Sequence, residues 1–432
     1  MDDTDYWKRI KSHGVQQLAA GLTSDEAQDL TNRYGTHNYH PLPVTVARTK
    51  GALAYSFDGP ASAPHARVRT YIDCIGSYSA MAYGHLSPFL VETARAQLDI
   101  SALTSRAVYT PELALFLEGL CRFTGFDMAC PMNTGAEAVE TAIKLARKWA
   151  YTKKGVGRDR AEIIVADGNF HGRTTTIIGF SSEASYKENF GPFTPGFLSV
   201  PFGDVDSLAA AITANTAAVL LEPIQAEAGV VIPPTGYMAA VRRLCSERNV
   251  LLIWDEIQTG FGRTGTTFAW QHEDARPDMI CLGKALGGGL LPVSAVAGTR
   301  GVMDVFKPGD HGSTFGGNPL ACAVALAALA EMEVQGLAER SRVLGERLKT
   351  RFLELRHPSI FDVRGRGLLI GLEVSSATDA ERLTQAFLDA GILTKETRHN
   401  TFRFAPPLTI DEETVDEIAV RVGTALATIS VA

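Results

Sequence analysis

Lys284 lies in the run MICLGKALGGGLLPVSA, where an apolar stretch that reads as a strand, Asp278 to Gly283, delivers one lysine into a glycine-rich turn, Gly287 to Gly289. Upstream, a second apolar run, VLLIWDEIQTG, ends in Asp255. A lysine in an apolar setting gives up its proton easily and can form a Schiff base with an aldehyde. An aspartate close to it can hold a pyridine nitrogen in its protonated form. Together they match the needs of pyridoxal phosphate, the electron sink for amino-acid chemistry. Gln258, three residues after Asp255, is placed to hydrogen-bond the ring hydroxyl of such a cofactor.

Four further segments carry candidate chemistry. CPMNTGAEAVETAIKLARKWA puts Gly135 and Ala136 at the start of a helix, where free N–H groups and the helix dipole suit a phosphate; an ordinary capped helix reads the same way. GNFHGRTT sets Phe170 where an aromatic could stack on a planar ring, and Arg173 where a guanidinium could clamp a carboxylate with two parallel hydrogen bonds. Core packing for Phe170 and a surface role for Arg173 are the plain alternatives, and His171 is either a ring-stacking or a structural histidine. LEPIQAEAG carries Glu222 and Glu227. Glu227 could pair with an arginine or receive a substrate ammonium. DHGSTFGGNPLACAVA brings Ser313 and Thr314 to a second helix start. Two phosphate-like sites in one chain suggest that one of them reaches across a dimer interface, although an ordinary N-cap explains the local sequence equally well.

These residues need a scaffold that gathers them. AEIIVADG, TAAVLLEPI, VLLIWDEI and DMICLG are near-continuous apolar runs, as expected of parallel strands covered on both faces. Helical patterns such as AEAVETAIKLARKWAYTKK and TGYMAAVRRLCSERN lie between them. The alternation predicts an α/β fold with a mostly parallel sheet. In such sheets ligands bind beyond the carboxyl ends of the strands, and the segments around Phe170, Glu227, Asp255 and Lys284 all fall at such ends. Residues 1–30 read as polar helix with a start signal at Thr23-Ser24-Asp25, followed by the irregular NRYGTHNYHPLPV and the strand-like GALAYSFDG and RTYIDCIGSYSA. After Gly336 the pattern changes to a long helix, FDVRGRGLLIGLEV, a helix over Ala377–Ala390, TFRFAPPLT and a closing helix. The expected organisation is an N-terminal segment, 1–70, contributing to a small domain; a large domain, 71–335; and a C-terminal α+β domain, 336–432.

At 432 residues the chain is too long for one compact core. A net charge of −7 argues against nucleic acid as the main partner. No run of about 18 apolar residues predicts a membrane span, and the acidic start MDDTDYWKRIKSHG lacks the apolar region of a secretory signal. Six scattered cysteines form no CxxC pair, so reduced thiols, a cytoplasmic setting and no metal site are expected.

DEIQTGFGRTG, LGKALGGGLLPVSA and GSTFGGNPLACA, in that order, resemble the class III (subgroup II) PLP-dependent aminotransferases of fold type I. The resemblance covers about Tyr34 to Leu408. It implies a large domain with a mostly parallel seven-stranded sheet, a smaller α+β domain built from both terminal segments, and a homodimer or dimer-based oligomer with its active sites at the interface. Within the family, YGTHNYHPLPV, SYSA, FGPFTPGF and FRFAPPLT are most similar to the branch that transfers the δ-amine of ornithine. That likeness implies Lys284 as the Schiff-base lysine, Asp255 at the pyridine nitrogen, Gln258 at the ring hydroxyl, Phe170 on the ring face, Gly135 and Ala136 at the phosphate, and Thr314 reaching the phosphate from the neighbouring subunit. It implies that Tyr39 meets the α-amino group of the donor and Arg173 its α-carboxylate, while Tyr78 shapes the pocket. Glu227 would pair with Arg403 in the first half-reaction and release it to bind the α-carboxylate of glutamate or 2-oxoglutarate in the second. Two positions depart from that branch: His171 stands where tryptophan is common, a histidine there being usual in acetylornithine enzymes, and Ala226 stands where glycine is usual. A sister transaminase acting on acetylornithine, another ω-amino acid or a diamine, an amino-acid racemase on the same scaffold, and a non-catalytic cofactor-binding protein are the alternatives.

Overall fold

A computed structural model describes residues 3–57, 59–60, 67–398 and 400–429. Its centre is a seven-stranded sheet in the order Met128–Met132, Ser294–Gly298, Met279–Leu282, Leu251–Asp255, Thr216–Leu221, Glu162–Ala166, Phe197–Val200. Ser294–Gly298 runs antiparallel to both neighbours, and the other pairs are parallel. The expected α/β architecture with a mostly parallel sheet is therefore present.

The four apolar runs fold as strands because both their faces are covered. Val139, Ile143, Ile163, Val165, Leu220, Ile253 and Met279 pack together on one side. Ile164, Val219, Leu221, Leu252, Trp254 and Ile280 pack on the other. Each fully buried Val, Leu or Ile contributes roughly 1.5–3 kcal/mol. Three strands had weaker signals in the sequence. Met128–Met132 contains Pro131, which the sheet accepts because this strand lies at its edge. Phe197–Val200 is a four-residue strand on the opposite edge, and Ser294–Gly298 is made of small residues.

The helix Gly135–Trp149 begins at a capping box: Thr134 Oγ1 accepts from Glu137 N at 3.2 Å, and Glu137 Oε2 accepts from Thr134 N at 2.7 Å. It continues as a wider π-helical turn, Ala150–Lys154, and stops at Gly155, whose φ of 83° lies in the left-handed region. The polar N-terminal stretch divides into Asp3–Ala20 and Ser24–Tyr34, the second capped by Thr23 and Glu26.

Two four-stranded sheets flank the centre. One joins Arg48–Lys50, Leu53–Phe57 and Val68–Asp73 to Ile392–Leu393, so an early and a late segment share a sheet. The other joins Ile360–Arg366, Leu369–Val374, Thr401–Phe404 and Lys395–Glu396, and it carries Arg403. Among the described residues no single helix is long and apolar enough to cross a membrane, and the cysteines are free thiols.

Candidate active site

The chain passes from Glu162–Ala166 to Phe197–Val200 on one side and then returns to Thr216–Leu221 on the other. That reversal opens a crevice beyond the strand ends. The loops after Ala166, Leu221, Asp255 and Leu282 surround it.

Asp255 is 4% exposed. Its Oδ1 accepts from Ile257 N at 3.1 Å, and its Oδ2 lies 2.7 Å from Nδ1 of His171. Burial alone would lower the imidazole pKa, but the bond to Asp255 and its charge outweigh that and hold it above the usual histidine range. His171 is thus the buried partner of Asp255, which resolves the ambiguity its sequence position left. Its Nε2 has no hydrogen-bond partner among the described residues. Beside it, Phe170 N donates to Oε2 of Glu222 at 2.9 Å. Burial pushes the Glu222 carboxyl up to about 8, so it keeps its proton at neutral pH. The sequence named Glu222 without giving it a task, and an acid at a strand end carries no local mark of such burial.

Lys284 follows the strand Met279–Leu282 with a φ of 46°, a left-handed conformation that costs a residue with a Cβ of order 1 kcal/mol or more. Burial lowers its ammonium pKa to about 8, with Glu227 drawing it back up and Arg403 pushing it further down. Arg403 Nη1 donates to Glu227 Oε1 at 2.5 Å, and Gln258 Nε2 donates to the same oxygen at 3.2 Å. Burial would raise the Glu227 carboxyl, but Arg403 and Lys284 outweigh it and keep the group below the usual glutamate range. Oε1 of Gln258 is buried without a partner.

The Arg403 guanidinium lies 5.5 Å from the ring centre of Tyr78. Tyr78 sits in a backbone of unusual geometry, with φ of 46°, 59° and 77° at Ser77, Tyr78 and Ser79. Asp73 braces this turn: its Oδ1 accepts from Ile75 N and Gly76 N, each at 3.0 Å, and its Oδ2 lies 2.9 Å from His85 Nε2. Gly76 is required there, since a Cβ would meet Ala405 O at 2.2 Å. Burial raises the Tyr78 phenol pKa, with Tyr39 and Glu227 adding to the effect. Tyr39 approaches from the N-terminal segment and is 68% exposed.

At the helix start, Glu137 occupies the N–H groups of Asn133 and Thr134, and Thr134 occupies those of Glu137 and Ala138. Among the described residues no acceptor is paired with the N–H groups of Gly135 and Ala136. Asn133 Nδ2 donates to Ser313 Oγ at 2.9 Å, which ties the second phosphate-like segment to the first. Thr314 itself is exposed, beside Phe315 at 54% exposure. Arg173 is also exposed, and among the described residues it makes no ion pair. Its guanidinium lies 3.6 Å from the ring centre of Tyr186 and 5.5 Å from that of Phe170. The fold therefore gathers Lys284, Asp255, Gln258, Glu227 and Arg403 in one mostly buried cluster, while Tyr39, Arg173 and Thr314 are exposed.

This donor set fits a flat pyridine with a phosphate tail. It offers a buried carboxylate at a strand end, a lysine of lowered pKa, unpaired polar atoms on His171 and Gln258, and free N–H groups at a helix start. The family model "Aminotransferase class-III" matches residues 34–426. The chain is a class-III aminotransferase. An ornithine aminotransferase of Brevibacillus brevis is 49% identical over 386 residues, 89% of this class-III chain and 94% of that one. A crystal structure of the ornithine aminotransferase from Toxoplasma gondii, described as having partial occupancy of PLP at its active site, superposes with a TM-score of 0.90 at 38% identity, covering 99% of this chain and 98% of that one. An acetylornithine aminotransferase from Elizabethkingia anophelis superposes with a TM-score of 0.84 at 40% identity, covering 94% of this chain and all, 100%, of that one. Membership of this PLP-dependent family implies pyridoxal phosphate as the cofactor.

Proposed function

We propose that this aminotransferase moves the δ-amine of L-ornithine to 2-oxoglutarate, giving glutamate and glutamate 5-semialdehyde, which closes to a cyclic imine. The observation that carries the reading is the Arg403–Glu227 pair at 2.5 Å beside Lys284, with Tyr78 over the guanidinium. A transaminase that alternates between a donor bearing a single α-carboxylate and a dicarboxylate acceptor needs one cation that can be neutralised and then released. A racemase has no such need.

Pyridoxal phosphate would be held by Lys284, by Asp255 and Gln258 along its ring, by Phe170 on its face and by Gly135 and Ala136 at its phosphate; it supplies an electron sink for the bond being broken at the amine-bearing carbon. The chain's residues do the rest. Arg173 takes the α-carboxylate of the donor and Tyr39 its α-amino group, so the far end of the substrate is fixed and the δ-amine points inward. Tyr78 narrows the pocket against shorter donors. Lys284 Nζ, with a pKa of about 8, both accepts and returns a proton at the δ-carbon near neutral pH. His171 keeps the Asp255 carboxylate oriented at 2.7 Å. Arg403 then leaves Glu227 to bind the α-carboxylate of the acceptor. Thr314 reaches the phosphate of a second copy in a homodimer.

His171 and the likeness to an acetylornithine aminotransferase favour N-acetylornithine as the second reading. A donor panel separates the two: L-ornithine, N-acetylornithine, 4-aminobutyrate and L-lysine, each with 2-oxoglutarate, followed by glutamate release and by o-aminobenzaldehyde capture of the cyclic imine. Glutamate and imine together with L-ornithine support the reading. Preference for N-acetylornithine moves the function to the sister enzyme.

A further inference from the structure

Among the described residues no carboxylate braces Arg173, yet it must hold its position for the δ-amine to arrive correctly. What it touches is Tyr186. The guanidinium lies 3.6 Å from the Tyr186 ring centre, the closest of the cation–ring contacts among the described residues. Tyr186 in turn packs edge-on against Phe170, with ring centres 6.3 Å apart and an interplanar angle of 79°. One side chain therefore touches both the residue proposed to face the cofactor and the residue proposed to take the α-carboxylate. Stacking engages the face of the guanidinium and leaves its in-plane N–H donors free for a carboxylate.

The short helix Ala184–Lys187, which carries Tyr186, follows a turn stitched to the strand end. Gly168 N donates to Ser182 Oγ at 2.8 Å, and Glu183 N donates to Ser181 Oγ at 3.1 Å. Arg398, from the turn between Lys395–Glu396 and Thr401–Phe404, braces the same ring from another element. Its guanidinium is 5.7 Å from the Tyr186 centre, and its Nη2 pairs with Glu183 Oε2 at 3.3 Å. That pair offsets a second positive charge which would otherwise repel Arg173 from the same ring.

We infer that Tyr186 is a positioning residue for the donor half-reaction: its ring, braced by the Arg398–Glu183 pair, fixes the Arg173 guanidinium relative to Phe170 and so sets the span between the reacting amine and the α-carboxylate anchor. The inference rests on the reading that Arg173 binds the donor's α-carboxylate. Among the described residues Tyr186 makes no hydrogen bond, ion pair or ring contact with Glu227 or Arg403, so its effect falls mainly on the donor, whose only carboxylate Arg173 holds.

The test uses the holoenzyme in single-turnover experiments that separate the two half-reactions, together with calorimetric binding of L-norvaline, which keeps the α-amino acid end and lacks the δ-amine. In Tyr186→Leu the half-saturation for L-ornithine and the Kd of L-norvaline rise about tenfold, while the limiting donor rate stays within about twofold and 2-oxoglutarate, which Arg403 also holds, is weakened less. Tyr186→Phe, which keeps the ring, restores both. Arg398→Met, which removes the brace but not the ring, gives a smaller rise in the same two quantities and serves if Tyr186→Leu does not fold. Binding unchanged in Tyr186→Leu overturns the inference, as does an equal loss in both half-reactions or a loss in Tyr186→Phe as large as in Tyr186→Leu. Arg173→Leu is the control. If it leaves ornithine binding unchanged, the assignment of Arg173 falls and the inference falls with it; if it weakens binding while Tyr186→Leu does not, only the inference falls.

Discussion

Arg403 and Arg173 are both proposed to bind a carboxylate, and their settings are opposites. Arg403 is 5% exposed, on a sheet strand, paired with Glu227 at 2.5 Å. Arg173 is exposed, on a loop, and rests on an aromatic face. The contrast follows from what each must do. A guanidinium that serves only one half-reaction needs an internal carboxylate to satisfy it during the other, because an unpaired buried charge is costly. A guanidinium that anchors the far end of the substrate can wait in solvent and needs only to be aimed. The buried arginine is thus a switch, and the exposed one a fixed post.

Lys284 is common to both halves, so Lys284→Ala is the variant that erases the contrast. Both half-reactions should fall together by at least 10²–10⁴-fold, on the order expected for a lost general acid–base. Stopped-flow absorbance with each substrate measures this. Turnover near the wild-type level would sink the assignment of Lys284.

The contrast is sharpest in a pair of leucine variants. Arg403→Leu should slow the 2-oxoglutarate half-reaction by roughly 10–100-fold, the equivalent of a lost charge-assisted hydrogen bond of about 1.5–3 kcal/mol, and should change ornithine binding less. Arg173→Leu should do the reverse. Equal losses in both halves for either variant would mean that the two arginines share one task.

Glu227→Gln tests the switch itself. Arg403 would no longer have to leave a carboxylate, so the half-saturation for 2-oxoglutarate should drop several-fold, by about 1 kcal/mol or less of released competition. The same change removes a negative charge that draws the Lys284 pKa upward, so that pKa should fall below its present value of about 8. The acid limb of the donor-rate profile then moves to lower pH. A limb that stays in place would show that Glu227 and Lys284 are not coupled.

The buried half of this comparison was far easier to read from sequence than the open half. Asp255 and Lys284 close apolar runs whose two-sided burial makes them strands, so their place at the strand ends follows from pattern alone. Gly135 and Ala136 follow Thr134, whose spacing to Glu137 is a capping signal. The resemblance to class-III aminotransferases supplied the roles. What stayed hidden depends on contacts between distant segments. The partnership of His171 with Asp255 spans 84 residues, and Arg398 meets Glu183 across a still longer stretch of chain. Tyr186 sits in a short helix with no periodic pattern and gains meaning only from Arg173 and Phe170 around it. The left-handed run at Ser77, Tyr78 and Ser79 could not be foreseen either, since none is glycine and the strain is sustained by Asp73 and Gly76.

Glu222 gives the smallest expected effect and places a cost on the buried side of the comparison. Its carboxyl is pushed up to about 8, against an ordinary value of 4.5 in the unfolded chain. Between those two values the folded state holds a proton that the unfolded state has released, so the native state binds more protons and stability falls as pH rises from about 4.5 to about 8. Glu222→Gln keeps an oxygen for Phe170 N, carries no charge and does not titrate. Its advantage over the wild type should therefore be near zero at about pH 4.5 and should widen steadily as pH rises toward about 8, as a growing gap in Tm. Thermal melts of both proteins across that range measure the slope. A constant offset would mean that Glu222 ionises alike in the folded and unfolded chains; an offset that shrinks as pH rises would mean that His171, not burial, governs its proton.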